Sequence, residues 1–376
     1  MQNMTRRSVL AGITASAAFG SQANSTVSVG IIGTGNRGRF DGAIFANDPR
    51  ARIAALSDLY PERIDEAKTK IPGAAGARVF KDYRELLAQP DIDAVLIATP
   101  VWLHPEHFEA AVKARKHIYC EKPAGADVAG VKRLLAAARE ADPSKSIAFG
   151  FQQRKSPEYL AAERIVRSGQ LGALMLMKSS WIVGSATIRP FTRVPGLSAE
   201  DRKMRDWWHY RETSGDIIVE QNCHGIDVLN WFSGAHPLSA IGGGGRGRRT
   251  LGDNLDDLSV TYNYPGNLRG WLLATQIAQG RRREVCEQFF GMDGFLETTR
   301  LSYLWQRTPD KVVRVESKRE ITVDAVEEFL SRIVSGRPEN MAFAACESTF
   351  TALLGRLAID LKREVTWDEL LATSNT

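Results

Sequence analysis

The chain has 376 residues, 43% of them hydrophobic and 25% charged. That is too apolar for a disordered protein and too rich in mixed charge for a membrane-embedded one, and the length calls for two domains around two cores. A net charge of +5 at pH 7 is too small an excess for a dedicated nucleic-acid binder.

Residues 1–23 read as an address. They contain no acid, and Arg6 and Arg7 stand directly before an apolar stretch from Val9 to Phe19. That stretch is shorter than the roughly 20 residues a membrane span needs. Ser21-Gln22-Ala23 fits a small-x-small cleavage site. The run Thr5-Arg6-Arg7-Ser8-Val9-Leu10 resembles the twin-arginine export signal, so a periplasmic or otherwise exported protein is expected. Removing the segment takes away Arg6 and Arg7 and lowers the net charge from +5 to +3. The four cysteines, Cys120, Cys223, Cys286 and Cys346, are widely spaced and lack CxxC pairs, which speaks against a zinc site or a disulfide framework.

Val27 to Ile32 is a β-branched run with the composition of a buried strand. It is followed by Gly33-Thr34-Gly35-Asn36-Arg37-Gly38, a G-x-G-x-x-G at a strand-to-helix turn. Gly33 permits the tight turn, Gly35 lets backbone approach a pyrophosphate, and Gly38 lets helix pack on strand. The phosphates meet free N–H groups at the helix start, around Asn36 and Arg37. A second strand, Arg52 to Ser57, ends at Asp58, twenty residues after Gly38. An acid there accepts ribose hydroxyls and repels a 2′-phosphate, which favours NAD; Arg37 and Arg39 keep NADP open. A helix N-cap is the plainer role for Asp58.

The alternation continues. Glu62–Lys70 reads as a helix, Ala94–Ala98 as a strand ending at Thr99-Pro100, Pro105–Arg115 as a helix, and His117–Cys120 as a strand ending at Glu121-Lys122-Pro123. Val128–Glu140 is a further helix and Ser146–Gly150 the next strand. Strands separated by helices predict a doubly wound parallel sheet, with ligands at the strands' carboxyl ends. Gly33–Gly38, Asp58, Thr99–His104 and Glu121–Pro123 all fall at such ends.

Together, Gly33–Gly38, Ala98-Thr99-Pro100 with His104, and Cys120-Glu121-Lys122-Pro123 resemble the Gfo/Idh/MocA oxidoreductase family over about residues 27–362. The resemblance implies an α/β protein: a Rossmann domain over 27–150, then an α/β domain over 151–376 with a large, mostly antiparallel open sheet for substrate binding and oligomerisation. It also implies a nicotinamide cofactor, sugar or polyol substrates, and a homo-oligomer. Lys122 would then lie beside the nicotinamide, with Thr99, Pro100, Trp102, His104 and Glu121 around the cofactor, and with a cis Lys122–Pro123 bond.

Past Gly150 the pattern changes. Pro157–Ser168 reads as a helix and Leu174–Val183 as a strand; further strands are expected at Asp257–Tyr264, Arg269–Ile277, Val285–Gly291 and Lys311–Val315. Pro265-Gly266-Asn267 marks a turn between two of them. Val323–Ser335 and Ala342–Lys362 read as closing helices. The run Gly242–Arg249 reads as a local flexible segment, and the basic runs Arg246–Arg249 and Arg281–Arg283 as solvated or intersubunit loops. No His/Cys/Asp cluster has metal-ligand spacing, so no metal is expected.

The chemically dense segment is Trp207 to Asp227. Helical spacing places Glu220, His224 and Asp227 on one face. The resemblance implies an acid four residues before a histidine, completing a site with the lysine. Glu220 stands where aspartate is usual, and Asn222 where glycine is usual. Oxidising a carbinol needs a base near neutrality, which suits His224; Lys122, its pKa lowered beside a cationic ring, would bind the same oxygen. On the substrate side the candidates are Trp207, Trp208 and His209 as a carbohydrate-stacking wall, Arg154, and Asp227 as a helix or hydroxyl contact. Ordinary packing is the plainer reading for the aromatics. Two activities follow: an NAD-dependent oxidoreductase on a sugar, glycoside or cyclitol, and a redox-neutral glycoside hydrolase resembling exported α-N-acetylgalactosaminidases.

Overall fold

The computed structural model describes residues 26–184, 196–278, 283–308 and 310–373, and statements of absence below concern these. The export segment 1–23 and most of the Arg281–Arg283 run lie outside them.

The first sheet is parallel throughout. Its strands are β1 (Val27–Ile32), β2 (Ala51–Ser57), β3 (Arg78–Phe80), β4 (Ala94–Ile97), β5 (His117–Cys120) and β6 (Ile147–Phe149), in spatial order β3-β2-β1-β4-β5-β6. Helices α1 (Asn36–Asn47), α2 (Pro61–Lys70), α3 (Tyr83–Leu87), α4 (His104–Lys113) and α5 (Val128–Arg139) make the crossovers. β1 and β4 are apolar and buried on both faces, as strands between two helix layers must be. The strand order reverses at β1, so a crevice opens between the carboxyl ends of β1 and β4.

The second unit begins with α6 (Pro157–Arg167) and β7 (Leu174–Gly184). Four short helices follow, through and around the chemically dense segment: α7 (Ala199–Arg205), α8 (Arg211–Ser214), α9 (Ile217–Glu220) and α10 (Cys223–Ser233). The remaining strands are β8 (Ser239–Gly245), β9 (Asp257–Asn263), β10 (Arg269–Ala278), β11 (Glu284–Gly291), β12 (Phe295–Thr299), β13 (Ser302–Thr308), β14 (Lys311–Glu316) and β15 (Val365–Thr366). They form one nine-stranded sheet, β14-β13-β12-β11-β7-β10-β9-β8-β15. Every pairing is antiparallel except β7 with β10. The mostly antiparallel sheet expected from the family resemblance is therefore present, with one parallel seam at its centre.

Helix α10 lies on the inner face of this sheet. It comes close because residue 225 is glycine: a Cβ there would stand 1.9 Å from Ser179 Oγ on β7. The chain closes with α11 (Ile321–Val334), α12 (Ala342–Leu361) and α13 (Trp367–Ala372). Helix α12 is apolar along most of its length and buried between α5, α10 and β8. It reaches back to the first unit: Ala124 N–H donates to Thr349 Oγ1 at 3.0 Å and Arg356 Nη1 donates to Ala126 O at 3.0 Å.

The run Gly242–Arg249 is not the flexible segment its glycines suggest. Gly242–Gly245 is the second half of β8, paired along β9. Gly242 is there for want of room, since a Cβ would meet Ser259 O at 2.7 Å. Arg249 is buried.

Candidate active site

The glycine loop has the geometry its spacing requires. Gly33 has φ 90°, and a Cβ there would stand 2.7 Å from Ala98 O on the neighbouring strand end. At Gly38 a Cβ would stand 2.0 Å from Gly33 O, so loop and helix touch. Gly35 is different: a Cβ there meets nothing within 4 Å. Open space thus faces the start of α1, where no side chain caps the first N–H groups. An anionic pyrophosphate fits that cradle.

Asp58 follows β2. Its Oδ2 accepts the Thr34 N–H at 2.8 Å and the Thr34 hydroxyl at 3.0 Å, and Oδ1 accepts the Tyr60 N–H at 3.0 Å. The side chain is half-buried, so the carboxylate retains lone pairs for ribose hydroxyls. Neither arginine offered to a 2′-phosphate is available. Arg39 is buried against Thr34 O, Asn36 Oδ1 and Glu66 at 2.9, 2.7 and 2.8 Å. Arg37 turns the other way, to Glu121 at 2.8 Å and Asp41 at 3.1 Å. Arg37 and Asn36 therefore serve the crevice through backbone and neighbours, and the residues present fit NAD.

The loops after β4 and β5 are tied together by His104, which is buried. Its Nε2 lies 2.9 Å from Thr99 O and its Nδ1 2.7 Å from Pro123 O. His104 is thus a clamp between two backbone carbonyls, which corrects its assignment as a cofactor ligand. Thr99 Oγ1 pairs with His107 Nδ1 at 3.0 Å. Thr99, Pro100 and Trp102 are half-buried at the crevice wall. The Lys122–Pro123 bond is cis, as the family resemblance implies.

Lys122 Nζ donates to Glu220 Oε1 at 2.9 Å and to Glu220 O at 2.6 Å. Both side chains are largely buried, and Glu220 Oε2 has no hydrogen-bond donor. Burial pulls the ammonium down, but Glu220, Cys223 and Glu121 together more than offset it, so Lys122 titrates above the ordinary lysine range. The sequence suggested a lowered lysine; these neighbours reverse that. Burial likewise lifts the Glu220 carboxyl. The helix breaks at Gln221 and Asn222, yet both stay close to helical dihedrals, so Glu220 and His224 keep a common face.

His224 stands between Trp181, stacked at 6.0 Å and 14°, and Phe151, edge-on at 6.0 Å. Its Nδ1 lies 3.2 Å from Gln153 Oε1. A glutamine carbonyl only accepts, so Nδ1 carries the proton and Nε2 carries the lone pair. Burial, then the charges of Lys122, Arg300 and Arg37, hold His224 well below the usual histidine range. It is a neutral imidazole with its basic nitrogen defined.

Other candidates are placed elsewhere. Arg154 and Asp227 pair with each other: Nε and Nη2 reach the carboxylate at 2.9 and 2.8 Å, Ser348 Oγ donates to it at 2.7 Å, and Asp227 is fully buried. They brace α10 one turn below His224, and the structure pairs them with each other. His209 is buried, its Nδ1 accepting from Arg249 Nη1 at 3.0 Å; Arg249 also donates to Gln276, which donates to Gln221. His209 therefore belongs to a buried network and not to a stacking wall. Trp207 and Trp208 are half-buried and packed edge to face. Sequence reasoning missed Gln153, Trp181 and Asp41. The four cysteines are free and buried.

Helix α7 ties the two units together across the crevice. Arg205 lies 3.7 Å over the Tyr60 ring and pairs with Glu62 at 2.7 Å, directly after Asp58. Helix α8 packs on the turn Val101–Leu103 after β4.

Comparison with known proteins agrees with this arrangement. Residues 27–149 match the family described as oxidoreductase family, NAD-binding Rossmann fold (GFO_IDH_MocA), and residues 159–297 match the GFO/IDH/MocA C-terminal domain. Similar proteins include an inositol 2-dehydrogenase of Rubrobacter xylanophilus, 27% identical over 73% of this chain and 72% of that one. An inositol 2-dehydrogenase of Acidothermus cellulolyticus is 34% identical over 62% of this chain and 61% of that one. Several such alignments span little more than half of the relative, 53% for the uncharacterised oxidoreductase YrbE of Bacillus subtilis. Among solved structures, levoglucosan dehydrogenase in complex with NADH and levoglucosan superposes with a TM-score of 0.77 at 19% identity, over 90% of this chain and 99% of that one. Scyllo-inositol dehydrogenase from Lactobacillus casei, with bound NAD(H) and scyllo-inositol, does so with 0.73 at 21%, over 91% and 99%. These identities speak for the fold.

Proposed function

This chain belongs to the Gfo/Idh/MocA oxidoreductase family, and from that premise we propose that it oxidises a secondary carbinol of a sugar, glycoside or cyclitol, using a resident NAD. The observation that carries this reading is the meeting of Lys122, Glu220 and His224 at the carboxyl ends of the first sheet. When bound, NAD supplies the hydride acceptor. The residues do the rest.

His224 Nε2 takes the hydroxyl proton. Its neutral state is maintained by burial and by nearby cations, and its orientation by Gln153. Lys122 Nζ, held charged by Glu220, donates to the same oxygen as negative charge grows on it. The unpaired Glu220 Oε2 is an acceptor for a neighbouring substrate hydroxyl. Vicinal hydroxyls are the chemistry of cyclitols and sugars. The α7 contacts with Tyr60 and Glu62 support a cofactor that stays bound between turnovers. The Arg6-Arg7 pattern supports export, where no free nucleotide pool exists.

The test uses purified protein with a panel of cyclitols, sugars and aryl glycosides. Reduction of the bound nucleotide by a carbinol, without release of the phenol, is expected. Phenol release with no accumulation of NADH would replace this reading with the redox-neutral hydrolase.

A further inference from the structure

Asp41 lies one turn beyond Arg37 on α1 and is fully buried. Nothing in the glycine motif calls for an acid there. Arg37 Nε stands 3.1 Å from Asp41 Oδ2 and 2.9 Å from Glu121 Oε1, so the two buried carboxyls share one donor nitrogen. Apart from that ion pair, neither oxygen of Asp41 has a hydrogen-bond donor. Glu121 is held on both sides. Oε1 takes Arg37 Nε at 2.9 Å, and Oε2 takes the Lys122 N–H at 3.2 Å. Residue 150 is glycine because a Cβ would stand 2.4 Å from Glu121 Oε1. The buried Tyr119 hydroxyl, without a partner, adds no charge, and Glu320 acts on Asp41 as a further acid.

Two buried carboxyls on one guanidinium nitrogen, out of water, cannot both ionise against that single cation. With one proton retained, the trio Asp41, Glu121 and Arg37 is electrically neutral and the empty donor position between the carboxyls is filled. Burial first, and then the Glu121 charge, lift the Asp41 carboxyl well above the usual range against the pull of Arg37. Asp41 is thus the protonated member, with Glu121 the carboxylate that faces Arg37 and the Lys122 amide.

We propose that Asp41 is a positioning residue that donates its proton to Glu121 as a neutral carboxylic acid, and that the charge so fixed on Glu121 sets the crevice's preference for the oxidised, cationic nicotinamide over the reduced, neutral one. This rests on the nicotinamide reading of the crevice. Glu121 stands directly after β5 and before Lys122, so its charge acts on the end of the crevice where the cofactor's charge changes. The glycine loop, by contrast, holds phosphates that both redox forms share.

The test combines infrared spectra with nucleotide titrations on wild type, D41N and E121Q. At pH 7 the wild type is expected to show a protonated-carboxyl band that D41N lacks; the band of Glu287, another buried acid, remains in both. D41N, whose amide still donates to Glu121, is expected to keep the wild-type ratio of Kd for NAD+ to Kd for NADH. E121Q is expected to move that ratio about tenfold towards NADH, the effect of one charge at partly screened short range. No difference band in D41N overturns the protonation, and an unchanged ratio in E121Q overturns the role of the charge. If the wild type binds neither nucleotide, the cofactor reading itself fails, while the infrared comparison, which needs no ligand, still decides where the proton is.

Discussion

His224 presents its Nδ1 proton to Gln153 Oε1 at 3.2 Å, and this single contact decides which nitrogen is the base. Because His224 titrates well below 6.5, kcat/KM is expected to stay level as pH falls through 6.5, with the base still unprotonated. Gln153→Glu replaces the amide by a carboxylate, which favours the imidazolium. The acid limb of kcat/KM should then move up by roughly one unit or more. A pH profile identical to that of the wild type would show that Gln153 does not act on the base.

Lys122 and Glu220 form one unit. Lys122→Ala and His224→Ala should each lower kcat by about 10²–10⁴, the range for a lost general base or oxygen-binding group. Glu220→Gln removes a carboxylate that helps hold the ammonium above its ordinary range. The basic limb of the profile should therefore move to lower pH while the fold persists. Near-wild-type rates in Lys122→Ala would refute the assignment.

Much of this site was legible because its signals are local. A glycine needed for φ 90° follows a buried strand, and an acid ends the next one. Asp41 was not legible: an acid four residues after Arg37 reads as a surface ion pair, and only the fold brings Glu121, eighty residues on, against it. Gln153 is equally silent, since its role depends on a histidine in the other unit. Arg154 and Asp227 show the converse: two polar residues near a site read as ligands, and only the fold shows that they pair with each other. In the second sheet, β12 and β13 are short and half-exposed, and the four glycines of β8 mimic a flexible segment.

Glu287 makes stability depend on pH. It is buried beneath α10, where Tyr159 and Thr298 donate to Oε2 at 2.9 and 2.8 Å. Burial lifts its pKa from 4.5 to about 7. Between those values the fold holds a proton that the unfolded chain has released, so this contribution is full below 4.5 and is lost as pH rises through 7. The loss is about 3 kcal/mol. Thermal unfolding of wild type and Glu287→Gln between pH 5 and 8 checks this: the wild type should lose Tm relative to the variant as pH rises. Parallel curves would contradict it.

Arg205 closes the adenosine side of the crevice through Tyr60 and Glu62. Wild-type protein is expected to retain nucleotide through desalting and to release it on denaturation. Arg205→Ala should lose it on desalting, with the Tm changed by little, since an ion pair exposed on the Glu62 side contributes at most about 1 kcal/mol. Equal retention in both proteins would remove α7 from cofactor holding.

The docking of α12 has a consequence for the order in which the molecule is made. The loop that carries Lys122 leaves the ribosome early, but Thr349 and Arg356, which fasten the loop residues Ala124 and Ala126, come more than two hundred residues later. The parallel seam between β7 and β10 imposes a similar delay on the other unit, since both of its strands must await the chain between them. The catalytic loop acquires its final support only when the last long helix arrives, so its assembly waits on contacts distant in sequence.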